Sequence, residues 1–392
     1  LVGNDRFTLT ELQGKKFGNR SITTQEELDT VLKGLKASLF FVKEVKKRLS
    51  KRASPMPFIT STLQQSAISE LGWSASRTMK VAQQLYEGIE TEKGQIAFIT
   101  YMRTDSTRIS SQAREKAVEI IKNNFGERYI GPIKASKGGK KIQDAHEAIR
   151  PTYPEIDMEA AKKLISGDFL KLYALIWNRF LASQMAGAEY EVTEVTVIDK
   201  SDRFAVTLVG EKRVFDGFER VLTRSSKDEL NHEYGQGQEI KPDDFIWEKE
   251  TTKPPSRFTE ASLVKELEKR GIGRPSTYAT TISTLLDRKY VLRQSKELRP
   301  TLLGAIVNEF LTDHFPDVVD TNFTANMENE LDEVEGGSKK WKEVIESFYD
   351  EFKTDLDQID RKIKNGEFKI EFPTDRECEC GSHFKVVFGR YG

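Results

Sequence analysis

FTEASLVKELEKRGIGRPSTYATTISTLLDRKYVL, residues 258–292, decides the reading of this chain. Thr259 reads as the N-cap of a first helix, GIGRPST as a turn, and Ser276 as the N-cap of a second helix that runs into a strand. Two helices about a short turn followed by a strand outline a winged helix-turn-helix. The same outline stands 200 residues earlier. There a helix carries Leu63, Ala67, Ile68 and Leu71 on one face and stops at Gly72. A second helix starts with Ser74 or Ser76 as N-cap and carries Met79, Ala82, Leu85 and Tyr86. The turn ETEKGQ and the strand IAFIT follow. Phe58 matches Phe258, Leu63 matches Leu263 and Leu85 matches Leu285. The shared layout argues for a duplicated module of DNA-binding type over two unrelated helix pairs.

Around the two modules the pattern changes. Residues 1–57 read as a polar strand, RFTLTELQGKKF, and a helix-like stretch from Thr24 to Arg52, ended by Pro55 and Pro57. Residues 187–250 alternate apolar and polar side chains and are rich in β-branched residues, which predicts antiparallel strands. Neither end has enough strands for a stable sheet alone, so the late strands are expected to pair with the one near residue 8. Residues 58–186 then become an insertion within a split β domain. Residues 301–362 read as helical, with Trp341, Ile345, Phe348 and Phe352 as core.

The composition bounds the function. At roughly 100–200 residues per domain, 392 residues suggest two to four domains. The chain has 61 Lys and Arg against 62 Asp and Glu, so any nucleic-acid footprint must be local. Two runs qualify, KEVKKRLSKR (43–52) and KASKGGKK (134–141), although such runs usually form a solvated face. No run of about 18 apolar residues predicts a membrane span. The start, LVGNDRFTLTE, lacks Met and a signal pattern, so the chain is expected to be a piece of a longer protein. Only two cysteines argue for a reducing, cytoplasmic setting. Cys378 and Cys380 lie in a C-x-C-G turn that suits half a zinc site, with His383 as the nearby third candidate; two free thiols are the plainer alternative.

Three stretches carry chemistry. In FITYMRTDST (98–107), Tyr101, Arg103 and Asp105 stand at alternate positions where a strand ends. In extended backbone such positions share a face, so Arg103 can stand beside Tyr101. A tyrosine can attack phosphorus when a cation stabilises the charge, and a guanidinium clamps phosphate bidentately. Asp105 can orient Arg103 or help bring a metal near, and Ser106 and Thr107 can cap a following helix. By spacing alone, a Tyr-Arg pair at a strand end is more often a stacking pair. In DAHEAIRPT (144–152), His146, Glu147 and Arg150 fall within one turn of a predicted helix that Pro151 stops. In RGIGRPSTYA (270–279), two glycines permit a tight turn and Arg274, Ser276 and Thr277 sit at a helix N-terminus, a ready phosphate site. Taken singly, each stretch is better read as a capped helix with surface charge.

Together these stretches resemble the signature segments of bacterial type IA DNA topoisomerases, as do PFITSTLQQSA (57–67) and FTANMENELDEVEGG (323–337). The resemblance runs in family order over nearly the whole chain. It implies an α+β multidomain fold: a toroidal gate with two winged-helix-like helical domains joined by a split antiparallel β arch. The implied domains are the arch (1–57 and 187–256), a gate domain holding the nucleophile (58–186), a helical DNA-binding domain (257–365) and the start of a C-terminal zinc ribbon (366–392). The resemblance also implies Tyr101 as the nucleophile that forms a 5′-phosphotyrosine link, Arg103 as stabiliser of the transition state, and His146 beside the scissile phosphate with Asp105 in the same network. Arg150, Arg274, Ser276, Thr277, Arg288 and Lys289 would contact DNA. The family's N-terminal Toprim domain carries a D-x-D-x-E cluster for Mg²⁺, which this chain does not contain. The implied partners are single-stranded or negatively supercoiled DNA and the Toprim domain of the same protein, acting as a cytoplasmic, nucleoid-associated monomer. Zn²⁺ is implied for the C-terminal region.

Two other readings compete with an ATP-independent strand-passing enzyme. One is a fragment that holds single-stranded DNA without cutting it. The other is a tyrosine recombinase-like enzyme, which the order of residues disfavours because Tyr101 precedes the arginines and His146.

Overall fold

The computed structural model describes residues 1–18, 20–92, 94–134, 146–223, 230–366 and 371–387. Along the chain the elements are β1 (Thr8–Leu12), β2 (Lys15–Lys16), α1 (Gln25–Lys36), β3 (Phe40–Arg52), α2 (Thr60–Ser66), α3 (Ala75–Glu87), β4 (Ile89–Thr91), β5 (Gly94–Ile96), α4 (Ser111–Phe125), α5 (Met158–Leu164) and α6 (Gly167–Gln184). There follow β6 (Ala188–Asp199), β7 (Phe204–Phe215), β8 (Glu239–Ile240), α7 (Glu260–Arg270), α8 (Tyr278–Asp287), β9 (Val291–Gln294), β10 (Glu297–Pro300), α9 (Leu302–His314), α10 (Pro316–Val319), α11 (Thr321–Glu335), α12 (Trp341–Lys364), β11 (Glu371–Glu377) and β12 (His383–Val387). They fall into two compact units. One comprises residues 1–56, 114–134 and 178–255, and the other 57–113, 135–177 and 256–392.

The first unit is built on an antiparallel sheet ordered β2-β1-β7-β6-β3-β8. As expected, the strand near residue 8 joins the late strands, through β1 against β7. The expected helix from Thr24 to Arg52 is corrected. Helix α1 ends at Lys36, and residues 40–52 are β3, paired with β6 along its whole length. Two periods meet there: Thr24 and Glu27 form a capping box for α1, whereas Phe40 and Val42 alternate inward. The basic run of β3 faces acids on its neighbour, with Lys51 Nζ 2.8 Å from Glu189 and Lys47 Nζ 3.8 Å from Glu191. It is a solvated strand face, where such pairs contribute little stability. Leu35, Phe40, Val42, Val195, Val197, Phe204, Leu208 and Ile240 form the core beneath. Of the second basic run, only Lys134 lies among the described residues. It donates to the carbonyls of Ser54 and Pro55 at 2.9 and 2.8 Å. Burial, with Arg179 and Arg114 nearby, pushes its ammonium down to about 8.

The second unit holds both helix-turn-helix modules. In the first, Ser74 caps α3 by accepting from Arg77 N at 3.1 Å. In the second, Thr259 and Ser262 form the capping box of α7. In the first module α2 runs on into a π-helical turn, Ala67–Leu71, that ends on Gly72 at φ 69°, and α7 ends on Gly271 at φ 71°; both glycines are in the left-handed region, where other residues are strained. Each module closes with a two-stranded wing, β4-β5 and β9-β10. Equivalent helices pack on each other, α2 against α7 and α3 against α8. Their seam is sealed by Ala75, Val264, Tyr278 and Ile282. Ser276 does not cap α8; Thr277 holds the N-cap position, and its hydroxyl accepts from Arg274 N at 2.8 Å. Two of the four aromatic and aliphatic residues expected as core on α12 are corrected. Phe348 and Phe352 stack at 5.5 Å, but Trp341 and Ile345 are exposed, because the apolar arc of α12 is wider than the surface that covers it.

A buried acid ties the first unit's ends. Asp5 accepts from Asn231 N, Asn231 Nδ2 and Tyr234 Oη at 2.7–2.9 Å and lies 3.0 Å from His232 Nδ1. Burial by itself raises its carboxyl, but these hydrogen bonds outweigh that and bring it down to about 2. A depressed carboxyl stabilises the fold when ionised. Its contribution is full above about pH 4 and fades as pH falls towards 2. Asp5→Asn should lower stability at pH 7 by roughly 2 kcal/mol and shrink that loss below pH 3, read by urea unfolding across pH. An equal loss at both pH values would contradict this.

Candidate active site

The turn after Thr100 is set by alternation. Met102, Thr104 and Ser106 are buried, whereas Arg103 and Asp105 are exposed and Tyr101 is half-buried. The inward residues hold the turn down and the outward ones carry the chemistry. The anchor is Thr60, the first residue of α2. Its hydroxyl lies 2.7 Å from Met102 O and 3.0 Å from Thr104 O, and it accepts from Thr104 N at 2.9 Å. Thr60 N donates to Thr104 O at 2.9 Å. Ser106 N donates to Thr104 Oγ1 and Arg108 N to Ser106 Oγ, which continue the turn. Ser106 and Thr107 therefore do not cap a helix; α4 begins only at Ser111.

Residues 146–152 are extended, not helical as expected. Thr100 N donates to Arg150 O at 3.0 Å, Arg150 N to Thr100 Oγ1 at 3.0 Å, and Thr152 N to Phe98 O at 3.0 Å. On the other side Ile149 N donates to Phe58 O at 2.8 Å. The segment is wedged between two others, and this backbone pairing overrides the local helical spacing. Phe98 to Thr100 accordingly continue beyond the β5 wing and pair with 149–152. Asp144 and Ala145 lie outside the described residues.

This pairing brings His146 to Tyr101, with ring centroids 5.5 Å apart and planes tilted by 40°. On another side Tyr86, the penultimate residue of α3, meets Tyr101 edge-on at 5.3 Å. Tyr86 was legible only as a face residue of a helix; nothing in its spacing points to Tyr101. Its position follows from Phe98 N donating to Leu85 O at 2.8 Å.

The cations expected to contact DNA are in different states. Arg103 donates to no group among the described residues and faces outward. Arg150 is turned inward, with Nη2 2.6 Å from Glu147 and Nη1 donating to Pro151 O at 2.8 Å. It braces the His146 segment. Arg274 is held by α11, with Nη2 2.9 Å from Asp332 and Nε 3.7 Å from Glu328. Ser276 and Thr277 are exposed at the start of α8, and Arg288 and Lys289 are exposed at its end. At 1.5 Å rise per residue those two ends lie about 15 Å apart. Asp105 connects the nucleophile turn to this region electrostatically. Burial first, then the charges of Glu268, Asp105 and Glu328, push the Tyr278 phenol up to about 12, against the opposing pull of Arg274.

Among the described residues, no group of three or more His, Cys, Asp or Glu side chains is arranged to hold a metal ion. Cys378 and Cys380 are free thiols; hydrogen bonding, led by the Ser382 backbone, holds the exposed Cys380 thiol below its ordinary value. The His383 ring faces Glu377 at 3.9 Å. Among the described residues no helix is long and apolar enough to cross a membrane.

The geometry yields a stability prediction. Thr60→Val removes the hydroxyl and leaves Thr104 N–H and Met102 C=O short of partners, which should cost roughly 1–3 kcal/mol, while Thr60→Ser should cost much less. Urea unfolding of the two variants checks this, and equal stability for Thr60→Val and the parent would contradict it.

Comparison with known proteins gives a consistent result. Residues 4–346 match the family described as DNA topoisomerase. A DNA topoisomerase 1 of Fervidobacterium islandicum is 48% identical over 98% of this chain and 55% of its own length. A DNA topoisomerase 1 of Thermotoga maritima is 47% identical over 90% of this chain and 54% of its own length. The solved structure of full-length topoisomerase I from Thermotoga maritima matches with a TM-score of 0.84 and 42% identity, over 98% of this chain and 61% of that one. The chain thus spans little more than half the length of the curated relatives it matches. It belongs to the bacterial DNA topoisomerases and has the fold of their type IA class.

Proposed function

We propose that this chain supplies the nucleophile half of a type IA DNA topoisomerase, with Tyr101 as the attacking residue. The supporting observation is the Tyr101 turn, where buried Met102, Thr104 and Ser106 force the phenol, the Arg103 guanidinium and the Asp105 carboxylate outward while His146 lies against the phenol ring. The Tyr101 oxygen attacks a backbone phosphorus of single-stranded DNA. A bond forms between Tyr101 Oη and phosphorus, and the bond from phosphorus to the 3′ oxygen breaks. The phenol gives up its proton and the leaving 3′ oxygen takes one up, with His146 placed as the nearby ring for proton handling. Arg103, which has no partner among the described residues, stabilises the charge on the phosphate oxygens. The 5′-phosphotyrosine conserves the phosphodiester energy, so the reverse attack by the 3′ hydroxyl reseals the strand without ATP. The chain has no G-x-x-x-x-G-K-[ST] loop.

In this reading, strand passage between cleavage and resealing relaxes negative supercoils. Residues 58–186 act as the gate domain, 1–57 with 187–256 as the arch, 257–365 as the DNA-binding helical domain, and 366–392 as the start of a zinc-ribbon region. Among the described residues no side-chain group makes a complete metal site. Asp105 is a single exposed carboxylate, and Cys378 and Cys380 give two of the four donors that a structural zinc needs. By the family resemblance, Mg²⁺ would be held by the acidic cluster of a Toprim domain, and a structural Zn²⁺ would need ligands beyond Cys378 and Cys380. DNA must compete with Glu328 and Asp332 for Arg274, while Arg288 and Lys289 are exposed at the end of α8.

The test mixes the chain with a separately made Toprim domain of a relative, Mg²⁺ and a 3′-labelled single-stranded oligonucleotide. The parent should form a covalent adduct, and Tyr101→Phe should form none while binding the oligonucleotide within about threefold of the parent. The chain alone should not relax plasmid DNA. An adduct that survives Tyr101→Phe would overturn the assignment. DNA binding by the parent with no adduct would favour a non-cleaving single-strand-binding role.

A further inference from the structure

We infer that Lys134, Arg114 and Arg179 form a phosphate-binding site in the first unit, one that the chemistry of Tyr101 does not use. Three observations converge on it.

The first is convergence of charge. Lys134 Nζ donates to the carbonyls of Ser54 and Pro55 at 2.9 and 2.8 Å, and Arg179 Nε donates to the next carbonyl, that of Met56, at 2.7 Å. The two cations therefore stand on consecutive residues of the segment that leaves β3. Arg114 of α4 joins them from another side. Its Nη2 donates to Gly131 O at 3.0 Å, three residues before Lys134, and its Nη1 to Gln184 Oε1 at 2.8 Å, at the end of the helix that carries Arg179. Burial first, then the charges of Arg179 and Arg114, hold the Lys134 ammonium down to about 8.

The second is the kind of partner. Every contact of Lys134 and Arg114 among the described residues is to a neutral oxygen. Carbonyl dipoles offset part of the charge, but neutral amide side chains would serve those carbonyls without placing like charges together. An ammonium has three N–H donors and a guanidinium five. The bonds above use two of each, which leaves one N–H on Lys134 and three on Arg114 for a further acceptor. Arginine forks and a lysine point charge are the donors that suit a phosphate group.

The third is that the site is built and reachable. Gly131 N donates to Gln184 O at 2.8 Å, and Ile130 pairs with Met185, so the segment bearing Lys134 is fixed against the end of α6. A Cβ on Gly131 would collide with the Met185 carbonyl, so the close approach needs glycine there. All three cations are half-buried, which removes enough water to strengthen an ionic contact while leaving the groups open to a solute.

The ligand chemistry is a phosphate group, from a DNA backbone or from free phosphate. The experiment needs no adduct at Tyr101, so it stands apart from the nucleophile assignment. Trace acetylation of the whole chain at pH 8, read lysine by lysine by peptide mass spectrometry, reports the free amine of Lys134. A bound phosphate favours the charged ammonium, and a tenfold gain in its proton affinity cuts the free amine there by roughly fivefold. Inorganic phosphate, against chloride at matched ionic strength, should slow labelling of Lys134 by about that factor and leave the exposed Lys171 and Lys265 unchanged. Arg114→Gln keeps an amide but loses the charge, and should abolish the slowing while hydrogen exchange at Val195 and Val197 in the sheet stays as in the parent. The parent measurement decides alone if that variant loosens the sheet. A single-stranded oligothymidylate that acts at lower phosphate concentration than the inorganic ion assigns the site to DNA backbone, and the reverse order assigns it to free phosphate. No slowing by either in the parent, equal slowing at all lysines, or undiminished slowing in Arg114→Gln would overturn the inference.

Discussion

Thr60 holds the Tyr101 turn in place, and the candidate chemistry depends on that grip. One hydroxyl and one amide of α2 fix the backbone of Met102 and Thr104 from both sides. With alternate residues pulled inward, the side chains between them have nowhere to go but out. A phenol, a guanidinium and a carboxylate are thereby presented in a row by backbone geometry, with no salt bridge among the described residues locking Arg103 into the fold. An exposed arginine with no partner among the described residues is available to an incoming phosphate.

The extended segment at 146–152 adds the second constraint. It is pinned by Thr100 on one side and Phe58 on the other, and the Arg150–Glu147 pair stiffens it. His146 reaches Tyr101 because of that pinning. The cations divide accordingly into braces, such as Arg150, and groups open to solvent, such as Arg103 and Arg288. Arg274 belongs to the first class in this state, held by two carboxylates of α11.

Much of this was legible in the sequence where local chemistry decides local structure. The two helix-turn-helix outlines, their caps at Ser74 and Thr259, the glycine stops and the split sheet follow from periodicity and turn chemistry. The alternation of Tyr101, Arg103 and Asp105 was legible too. Where the sequence misled, a long-range contact had overruled a local preference. β3 reads as helix because its charges also suit a helical face; only pairing with β6 makes it a strand. The His146 segment has helical spacing but is captured between two neighbouring strands of chain. Trp341 and Ile345 lie on the apolar arc of α12 yet remain outside the core, since periodicity says which face is apolar and not how much of it is covered. Tyr86 and Thr60 gave no sequence signal of their own, because their roles arise from partners far along the chain.

The central claim is that Tyr101 makes the bond to DNA. Its most direct measurement is peptide mass spectrometry of the adduct trapped with the complementing Toprim domain and a short oligonucleotide. The expected result is a single modified tryptic peptide containing Tyr101, carrying nucleotide through a 5′ phosphate. Modification on another tyrosine such as Tyr86, or linkage through a 3′ phosphate, would contradict it.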